Sequence, residues 1–286
     1  MTWFQETLYD HWRQSFRVTR EVTRVRGPMQ EIAVFETPGF GRVLTLDGVI
    51  QVTTGDEFIY HEMLAHVPIY AHGAVRSACV VGGGDGGMLR EILKHRSIER
   101  AVLVEIDGAV VDFCRQHLPS VSAGAFDDPR TRIVIADGIK YMAETTERFD
   151  LIVVDSTDPI GPGEVLFTES FYQDCARCLT AEGIVVNQNG VPFLQGAEVT
   201  DTWRRRRPHF ADLGYYLAAV PTYVGGFMAL GWAAASPRPR AESLETIRAR
   251  FRAAPVPARY YTPDVHKAAF ALPPYIQGLI GNETEA

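Results

Sequence analysis

Residues 78–107 read ACVVGGGDGGMLREILKHRSIERAVLVEID, and this segment gives the strongest indication of the fold. An apolar run at residues 78–81 leads into a glycine loop at residues 82–87. A helical pattern begins at Met88, and a second apolar run follows at residues 101–104. Strands with this many apolar residues are typical of a parallel sheet that is covered on both faces. The order of strand, loop, helix and strand therefore predicts an α/β fold with a doubly wound, Rossmann-like sheet.

Further apolar runs downstream have the composition of buried strands. They lie at residues 132–136, 151–154 and 183–186. The stretch at residues 227–235 is also apolar and predicts a late core strand. We therefore place a Rossmann-like domain at residues 56–286.

The first 55 residues have a different pattern, in which short β-branched or apolar runs alternate with turn residues. The runs lie at residues 16–22, 31–36 and 42–47, and Gly-Pro, Pro-Gly and Asp-Gly pairs separate them. This pattern predicts a small antiparallel β domain over residues 1–55. A helix is then predicted at residues 56–71, with Asp56 as its capping residue.

The composition excludes some classes of protein. The 286 residues include 28 Lys and Arg and 35 Asp and Glu, which gives a formal charge of −7. A mildly acidic chain argues against nucleic acid as a partner and favours a cationic ligand if the acids converge. The four cysteines have no framework spacing, so a reducing, cytoplasmic compartment is expected. No stretch has the pattern of a signal peptide or is long enough to span a membrane, and no membrane partner is expected.

Acidic residues stand where the predicted strands end. In an open parallel sheet, ligands bind at the carboxyl ends of the strands. Any one of these acids alone could be a helix cap or a surface charge, but together they predict a binding site. The acids concerned are Asp85, Glu105, Asp137, Asp155 and Asp158.

The glycine loop and the acid after it indicate a nucleotide-type ligand. Glu105 follows Gly82 by 105 − 82 = 23 residues, which is about the offset at which Rossmann-type folds place an acid on ribose hydroxyls. Asp85 lies within the loop, where a dinucleotide would place its pyrophosphate, and two negative groups there would repel each other. Asp85 therefore favours an S-adenosyl compound, whose sulfonium is cationic.

These motifs are similar to those of the spermidine synthase family. The matching segments are LDGVIQ at residues 46–51, DEFIYHEM at 56–63, GGGDGGMLRE at 82–91, VEID at 104–107, DSTDPIGP at 155–162, PTY at 221–223 and RYY at 259–261. The resemblance implies a Rossmann-like catalytic domain of the S-adenosylmethionine-dependent methyltransferase type after the β domain. It also implies a homodimer or homotetramer.

The resemblance implies transfer of an aminopropyl group from decarboxylated S-adenosylmethionine, as co-substrate, to putrescine, with no tightly bound cofactor. The acceptor amine would attack in an SN2 displacement, and its proton would need a base. By resemblance, Asp155 is that base. The donor contacts implied are Gln30, Gln51, Asp85, Glu105, Asp137, Gly138 and Pro162, and the acceptor contacts are Tyr60, His61, Asp155, Asp158 and Tyr223.

The chain departs from the family pattern at one segment, and this departure leaves alternatives for the acceptor and for the activity. Some family members carry Gln-x-Glu or Gln-x-Asp where this chain reads NQNG at residues 187–190. The acceptor could therefore be cadaverine, agmatine or spermidine; a diamine N-methyltransferase and a non-catalytic binding protein are further alternatives.

Three other motifs do not predict sites of their own. A zinc motif beginning at His61 would need its second histidine at i+4, but His66 is at i+5. The Cys175-x-x-Cys178 segment has no second pair, so no metal is expected. The arginines at residues 204–207 are predicted to form a solvated helix face.

Overall fold

The computed structural model describes residues 2–27, 29–156 and 166–281. Its N-terminal part consists of two small antiparallel sheets, as the turn pattern predicts. One is a hairpin of β1 and β2, and the other has four strands in the order β3-β4-β5-β6. The strands are β1 (Thr2–Gln5), β2 (Ser15–Val18), β3 (Arg20–Arg26), β4 (Glu31–Thr37), β5 (Gly41–Leu46) and β6 (Val49–Thr53).

The interpretation of residues 16–22 as one strand is wrong. The segment divides between β2 and β3 at Thr19, whose backbone nitrogen and hydroxyl both donate to the carbonyl of Glu36 on β4, at 2.9 and 3.0 Å. Thr19 thus lies between two pairings. Residues 15–18 pair with β1, and residues from Arg20 onward pair with β4.

A seven-stranded sheet forms the centre of the larger part, in the order β12-β13-β11-β10-β7-β8-β9. Its strands are β7 (Ser77–Gly82), β8 (Arg100–Glu105), β9 (Thr131–Ile135), β10 (Phe149–Asp155), β11 (Leu179–Gln188), β12 (Asp212–Ala218) and β13 (Met228–Ala234). The first five are parallel to one another, whereas β13 is antiparallel to its neighbours β11 and β12. The predicted doubly wound sheet and its late strand are confirmed, and the sheet is mixed.

Helices cover both faces of this sheet. The helices are α1 (Glu57–His72), α2 (Gly87–Leu93), α3 (Gly108–His117), α4 (Pro119–Ser122), α5 (Gly138–Glu144), α6 (Glu169–Arg177), α7 (Gly196–Arg206), α8 (Arg238–Ala241), α9 (Leu244–Ala253), α10 (Pro263–Ala269) and α11 (Pro274–Gly281), with a 3-10 turn at Ala125–Asp127. Successive residues of β7 point to opposite faces. Val80 packs in the core that contains Leu64 of α1 and Leu89 of α2, whereas Val81 belongs to the core that contains Met142 of α5.

The sheet has a switch point between β7 and β10. The chain proceeds from β7 outward to β8 and β9, and then returns to pair β10 with the other side of β7. In open α/β sheets, ligands bind at the carboxyl ends of the strands at such a point. The glycine loop after β7 and Asp155 at the end of β10 both lie there.

Two predictions about charged residues are corrected. Asp56 occupies the N-cap position of α1 but does not cap the helix. Its carboxylate accepts from the Thr53 hydroxyl at 2.6 Å and from the backbone nitrogen of Thr222 at 2.7 Å, which joins the start of α1 to the loop after β12. Arg206 is fully buried in the arginine run predicted to be solvated, and it donates to Asn187 Oδ1 at 3.0 Å.

Among the described residues, no helix combines the length and the apolar character needed to cross a membrane.

Candidate active site

The carboxyl ends of the central strands open into a cavity of about 350 Å³. Four of the five predicted strand-end acids line it, together with residues of the N-terminal sheets and the loop after β12. The four acids are Asp85, Glu105, Asp137 and Asp155. The structure therefore brings together groups that are up to 70 residues apart in the chain (155 − 85 = 70).

The glycine loop packs directly on the end of β10. Gly82 has a φ of +82°, and a Cβ atom there would overlap the backbone oxygen of Asp155. Gly83 donates its backbone N–H to that same oxygen at 2.8 Å. A side chain at either position would push the loop away from β10, so glycine permits the close approach that forms the floor of the cavity.

Asp155 lines the cavity and has a phenol as its partner. The Tyr60 hydroxyl donates to Asp155 Oδ1 at 2.6 Å. Protein surrounds the carboxyl closely, and this desolvation together with the charge of Asp85 raises the pKa of Asp155 to about 6, against the opposing effects of His61 and Tyr60. Asp155 is therefore a carboxylate at neutral pH and a stronger base than an ordinary aspartate.

Asp85 is held in place by the start of α2. Its Oδ1 accepts from the backbone nitrogen of Gly87 at 2.7 Å and lies 3.7 Å from His61 Nε2. The side chain keeps some exposure on the cavity side. Asp85 can thus place a negative charge beside a bound cation.

Glu105 and Asp137 end two neighbouring strands and differ in their surroundings. Glu105 is buried and accepts from the backbone nitrogen of Asp107 at 3.0 Å, and burial raises its pKa to about 7. Asp137 caps α5, since its Oδ1 accepts from the backbone nitrogen of Ile139 at 2.9 Å. Asp137 is therefore a helix cap. It also lines the cavity, together with Gly138.

Loops and the N-terminal sheet contribute part of the cavity wall, through Gln30, Gln51 and Tyr223. The Tyr223 hydroxyl donates to the backbone oxygen of Gln51 at 2.6 Å, and its ring meets that of Tyr60 edge to face at 5.9 Å. Gln30 Nε2 lies 3.5 Å from Asp107 Oδ2, which places it beside Glu105. The predicted contacts Gln30, Gln51 and Tyr223 all line the cavity.

Two predicted site residues, Asp158 and Pro162, lie outside the described residues.

Sequence reasoning missed Glu6, which also lines the cavity. Glu6 is buried, and its carboxylate accepts from the backbone nitrogen of Ile50 at 2.9 Å and from Gln14 Nε2 at 2.7 Å. Gln14 donates in turn to the backbone oxygen of Thr222 at 2.8 Å. The sequence around Glu6 carries no glycine loop and no apolar run of the kind that marks the other acids, so only the folded hairpin shows that it reaches the site.

Gln188 lies at the end of β11 and supplies an amide, as expected from the NQNG segment. Its Oε1 accepts from the backbone nitrogen of Gly190 at 2.9 Å, which fixes the orientation of the amide. Its Nε2 is buried and has no hydrogen-bond partner among the described residues, and the residue lines the cavity.

The histidine and cysteine motifs have packing roles in the structure. His66 lies 3.0 Å from both His95 and Glu91, and Glu62 accepts backbone N–H groups of residues 259–261. Cys175 and Cys178 are both buried as free thiols. Over the ranges that the structure describes, no three histidine, cysteine or acidic side chains form a metal-binding group.

Known proteins are similar to this chain over nearly its whole length. The model of the spermine/spermidine synthase domain matches residues 57–243, and that of the spermidine synthase tetramerisation domain matches residues 2–54. A polyamine aminopropyltransferase of Ruegeria sp. is 56% identical over 97% of this chain and 98% of its own. Polyamine aminopropyltransferase 1 of Pseudomonas aeruginosa is 55% identical over 99% of both chains.

Solved structures agree. A spermidine synthase crystallised with the transition-state analogue AdoDATO has a TM-score of 0.93 and 37% identity, covering 98% of this chain and 95% of its own. Spermidine synthase from Thermotoga maritima has a TM-score of 0.90 and 35% identity, with 98% and 94% covered.

The chain therefore belongs to the spermine/spermidine synthase family. It is a transferase of polyamine biosynthesis, an aminopropyltransferase of the spermidine synthase type.

Proposed function

We propose that the protein transfers the aminopropyl group of decarboxylated S-adenosylmethionine to putrescine, which gives spermidine and 5'-methylthioadenosine. The observation that carries this proposal is the position of Asp155. A carboxylate with a pKa of about 6 lies in one cavity with Asp85 and Glu105. Such a site suits a cationic donor and an amine that must lose a proton.

The donor half of the cavity would be formed by the ends of β7, β8 and β9. Glu105 would accept hydrogen bonds from the ribose hydroxyls, and Asp137 and Gly138 would contact the adenine. Asp85 would pair with the ammonium of the aminopropyl group. Intact S-adenosylmethionine carries a carboxylate there, and repulsion between two carboxylates would select the decarboxylated donor. Gln30, Gln51 and Pro162 complete the proposed donor contacts.

The acceptor half would lie around Asp155. An alkylammonium has a pKa of about 10.4, so nearly all of the acceptor arrives protonated. Asp155 would pair with the ammonium and take its proton, while Tyr60 and Tyr223 orient it and His61 lies beside it. The freed amine attacks the propyl carbon next to sulfur; the C–N bond forms, the C–S bond breaks, and its electron pair neutralises the sulfonium.

A diamine carries a second ammonium, which needs its own counter-charge. We propose that Glu6 supplies it, because its buried carboxylate lines the same cavity as Asp155. A buried cation without a partner is strongly disfavoured. Asp158 stays a proposed acceptor contact by resemblance to the family.

Product analysis tests the proposal. Purified protein is incubated with decarboxylated or intact S-adenosylmethionine and with putrescine, cadaverine, agmatine or spermidine, and products are identified by mass spectrometry. Spermidine and methylthioadenosine, formed fastest from putrescine and the decarboxylated donor, would support it. Faster transfer to another amine would change the acceptor, and a methylated amine from the intact donor would overturn the reaction type.

We also propose a homo-oligomer, a dimer or tetramer, that assembles through the N-terminal sheets. Trp3 on β1 and Val25 on β3 are 57% and 42% exposed, and apolar surface of this kind is typical of interfaces. Sedimentation of Trp3→Glu and Val25→Glu variants would test this: a smaller particle is expected, and an unchanged one would contradict it.

The four free, buried cysteines support a reducing compartment, for which we propose the cytoplasm.

A further inference from the structure

A chain of charged side chains leads from the cavity into the protein beside α1. His61 Nδ1 lies 2.6 Å from Glu57 Oε2, one turn earlier on the helix. Arg90 on α2 binds both oxygens of Glu57, at 2.9 Å from Nη1 to Oε1 and 2.7 Å from Nη2 to Oε2. This is the bidentate geometry in which an arginine fixes a carboxylate most firmly.

Arg90 is itself fixed by other contacts. Its Nη1 donates to the backbone oxygen of Val121 at 2.7 Å, and its Nε donates to Glu91 Oε1 at 2.8 Å. His61 lines the cavity, whereas neither Glu57 nor Arg90 is among the described residues that do. The pair of Glu57 and Arg90 therefore acts on the cavity through His61.

The geometry determines which His61 nitrogen carries a proton. Burial opposes ionisation of Glu57, but the hydrogen bonds from His61 and Arg90 lower its pKa to about 2. A carboxylate can only accept, so Nδ1 must donate to it. The ring also packs on the backbone of Gly87, where a Cβ atom would overlap it. Nε2 is thereby held 3.7 Å from Asp85 Oδ1.

The surroundings of His61 favour its cationic form. Burial lowers its pKa, but the charge of Asp85 and the hydrogen bond to Glu57 outweigh this effect and raise it to about 9. Within the part of the chain that the structure describes, the charged and titratable groups around His61 and Asp155 come from several elements. They are Glu57 and Tyr60 on α1, Asp85 in the glycine loop, Arg90 on α2, Glu105 at the end of β8 and Tyr223 after β12.

We propose that Glu57 and Arg90 are positioning residues for aminopropyl transfer, which hold the His61 imidazolium in place so that this fixed cation keeps Asp155 ionised. The inference rests on the proposed role of Asp155 as the base. Without a nearby cation, the charge of Asp85 would favour a proton on Asp155. A protonated Asp155 could not accept the proton of the acceptor amine.

The test is the pH dependence of kcat/KM in the Glu57→Gln variant between about pH 5.5 and about pH 9, a range that includes the Asp155 pKa of about 6. The substitution keeps the size of the side chain and removes one of the two neighbouring charges, those of Asp85 and Glu57, that favour protonated His61. The acid limb of the profile should move up by about one pH unit, so that the variant is about fivefold slower at the wild-type midpoint and closer to wild type at high pH. A purely structural defect would lower the rate equally at every pH.

Three comparison variants sharpen the test. Glu57→Asp keeps the charge and should return the limb toward its wild-type position. Arg90→Met leaves the Glu57 charge, so it should not move the limb. Its loss of kcat should be accompanied by altered imidazole ¹⁵N signals of His61, which a structural defect elsewhere in the protein would leave unchanged. Glu62→Gln makes the same change on the same helix, at a carboxylate that binds the backbone of residues 259–261; it should lower Tm without moving the limb.

A second readout does not depend on turnover. The pKa of His61 can be measured from its imidazole ¹⁵N signals, assigned by their loss in His61→Gln. It should fall from about 9 to about 6 or below in Glu57→Gln, because only an imidazole that is neutral over the acid limb leaves Asp155 without its cation. A His61 pKa that stays above about 6 in Glu57→Gln, or an acid limb that does not move although the His61 pKa has fallen that far, would overturn the inference. Absence of aminopropyl transfer in the wild type would instead overturn the proposed function, while the titration would still report on Glu57.

Discussion

Replacing Asp155 by asparagine removes the proposed base and leaves nearly the same shape in the cavity. Asparagine Oδ1 can still accept the Tyr60 hydrogen bond, which is 2.6 Å long in the structure. The NH₂ group that replaces the second oxygen cannot accept a proton. The variant should therefore fold and bind donor normally but fail in proton removal.

The expected loss follows from the contribution of a general base, which is about 10²–10⁴-fold in rate. At about 1.36 kcal/mol per tenfold, this corresponds to a barrier higher by about 3–5 kcal/mol. The pH profile should also change. Asp155 works when ionised, so the wild-type rate should fall as the pH drops through its pKa of about 6. The asparagine variant should lack this acid limb.

The assay is single-turnover formation of methylthioadenosine, with the rise in Tm on adding methylthioadenosine as a measure of the donor site. The matched control is Asp150→Asn, the same substitution near the start of β10. Asp150 accepts from the backbone nitrogens of Arg76 and Ser77 at 2.9 and 3.0 Å, so its variant should lose stability and keep its rate per folded molecule. A rate for Asp155→Asn within about tenfold of wild type, or an unaltered acid limb, would refute the reasoning.

Three further outcomes are expected. Glu105 has a pKa of about 7 and is ionised above that pH, so methylthioadenosine should bind up to about tenfold more weakly when the pH falls from about 8 to about 6. Calorimetry should show no such pH dependence for Glu105→Gln. A wild-type affinity that does not change with pH would contradict the role of Glu105. Gly87→Ala forces a Cβ into the His61 ring and should lower the free energy of unfolding by about 1–3 kcal/mol in chemical denaturation. Gly278→Ala, whose Cβ would meet nothing within 4 Å, should not lower it. Equal stability of the two variants would be inconsistent with the packing. Asp85→Asn should lower the preference for decarboxylated over intact donor at least about tenfold in direct competition, and an unchanged ratio would remove the role of Asp85 in donor selection.

The N-terminal sheets and the site illustrate different limits of sequence reasoning. The strands β4 and β5 are predictable because apolar and β-branched runs end at Gly and Pro turns. Thr19 is not recognisable as a strand boundary, since the acceptor of its two hydrogen bonds is Glu36 on another strand. Arg206 shows the same limit, because its burial depends on the distant Asn187.

The doubly wound sheet and the order of its acids could be predicted from the amino-acid sequence, because runs of apolar residues and a glycine loop are local features of the chain. The sequence also predicted that Asp85, Glu105, Asp137 and Asp155 share one edge of the sheet, since the carboxyl ends of parallel strands do so. Two features became visible only in the folded structure. Glu6 lines the same cavity, and Arg90 binds Glu57, which in turn binds His61. These contacts join side chains from separate elements, and their distances depend on how the hairpin and the helices pack, which no local pattern encodes.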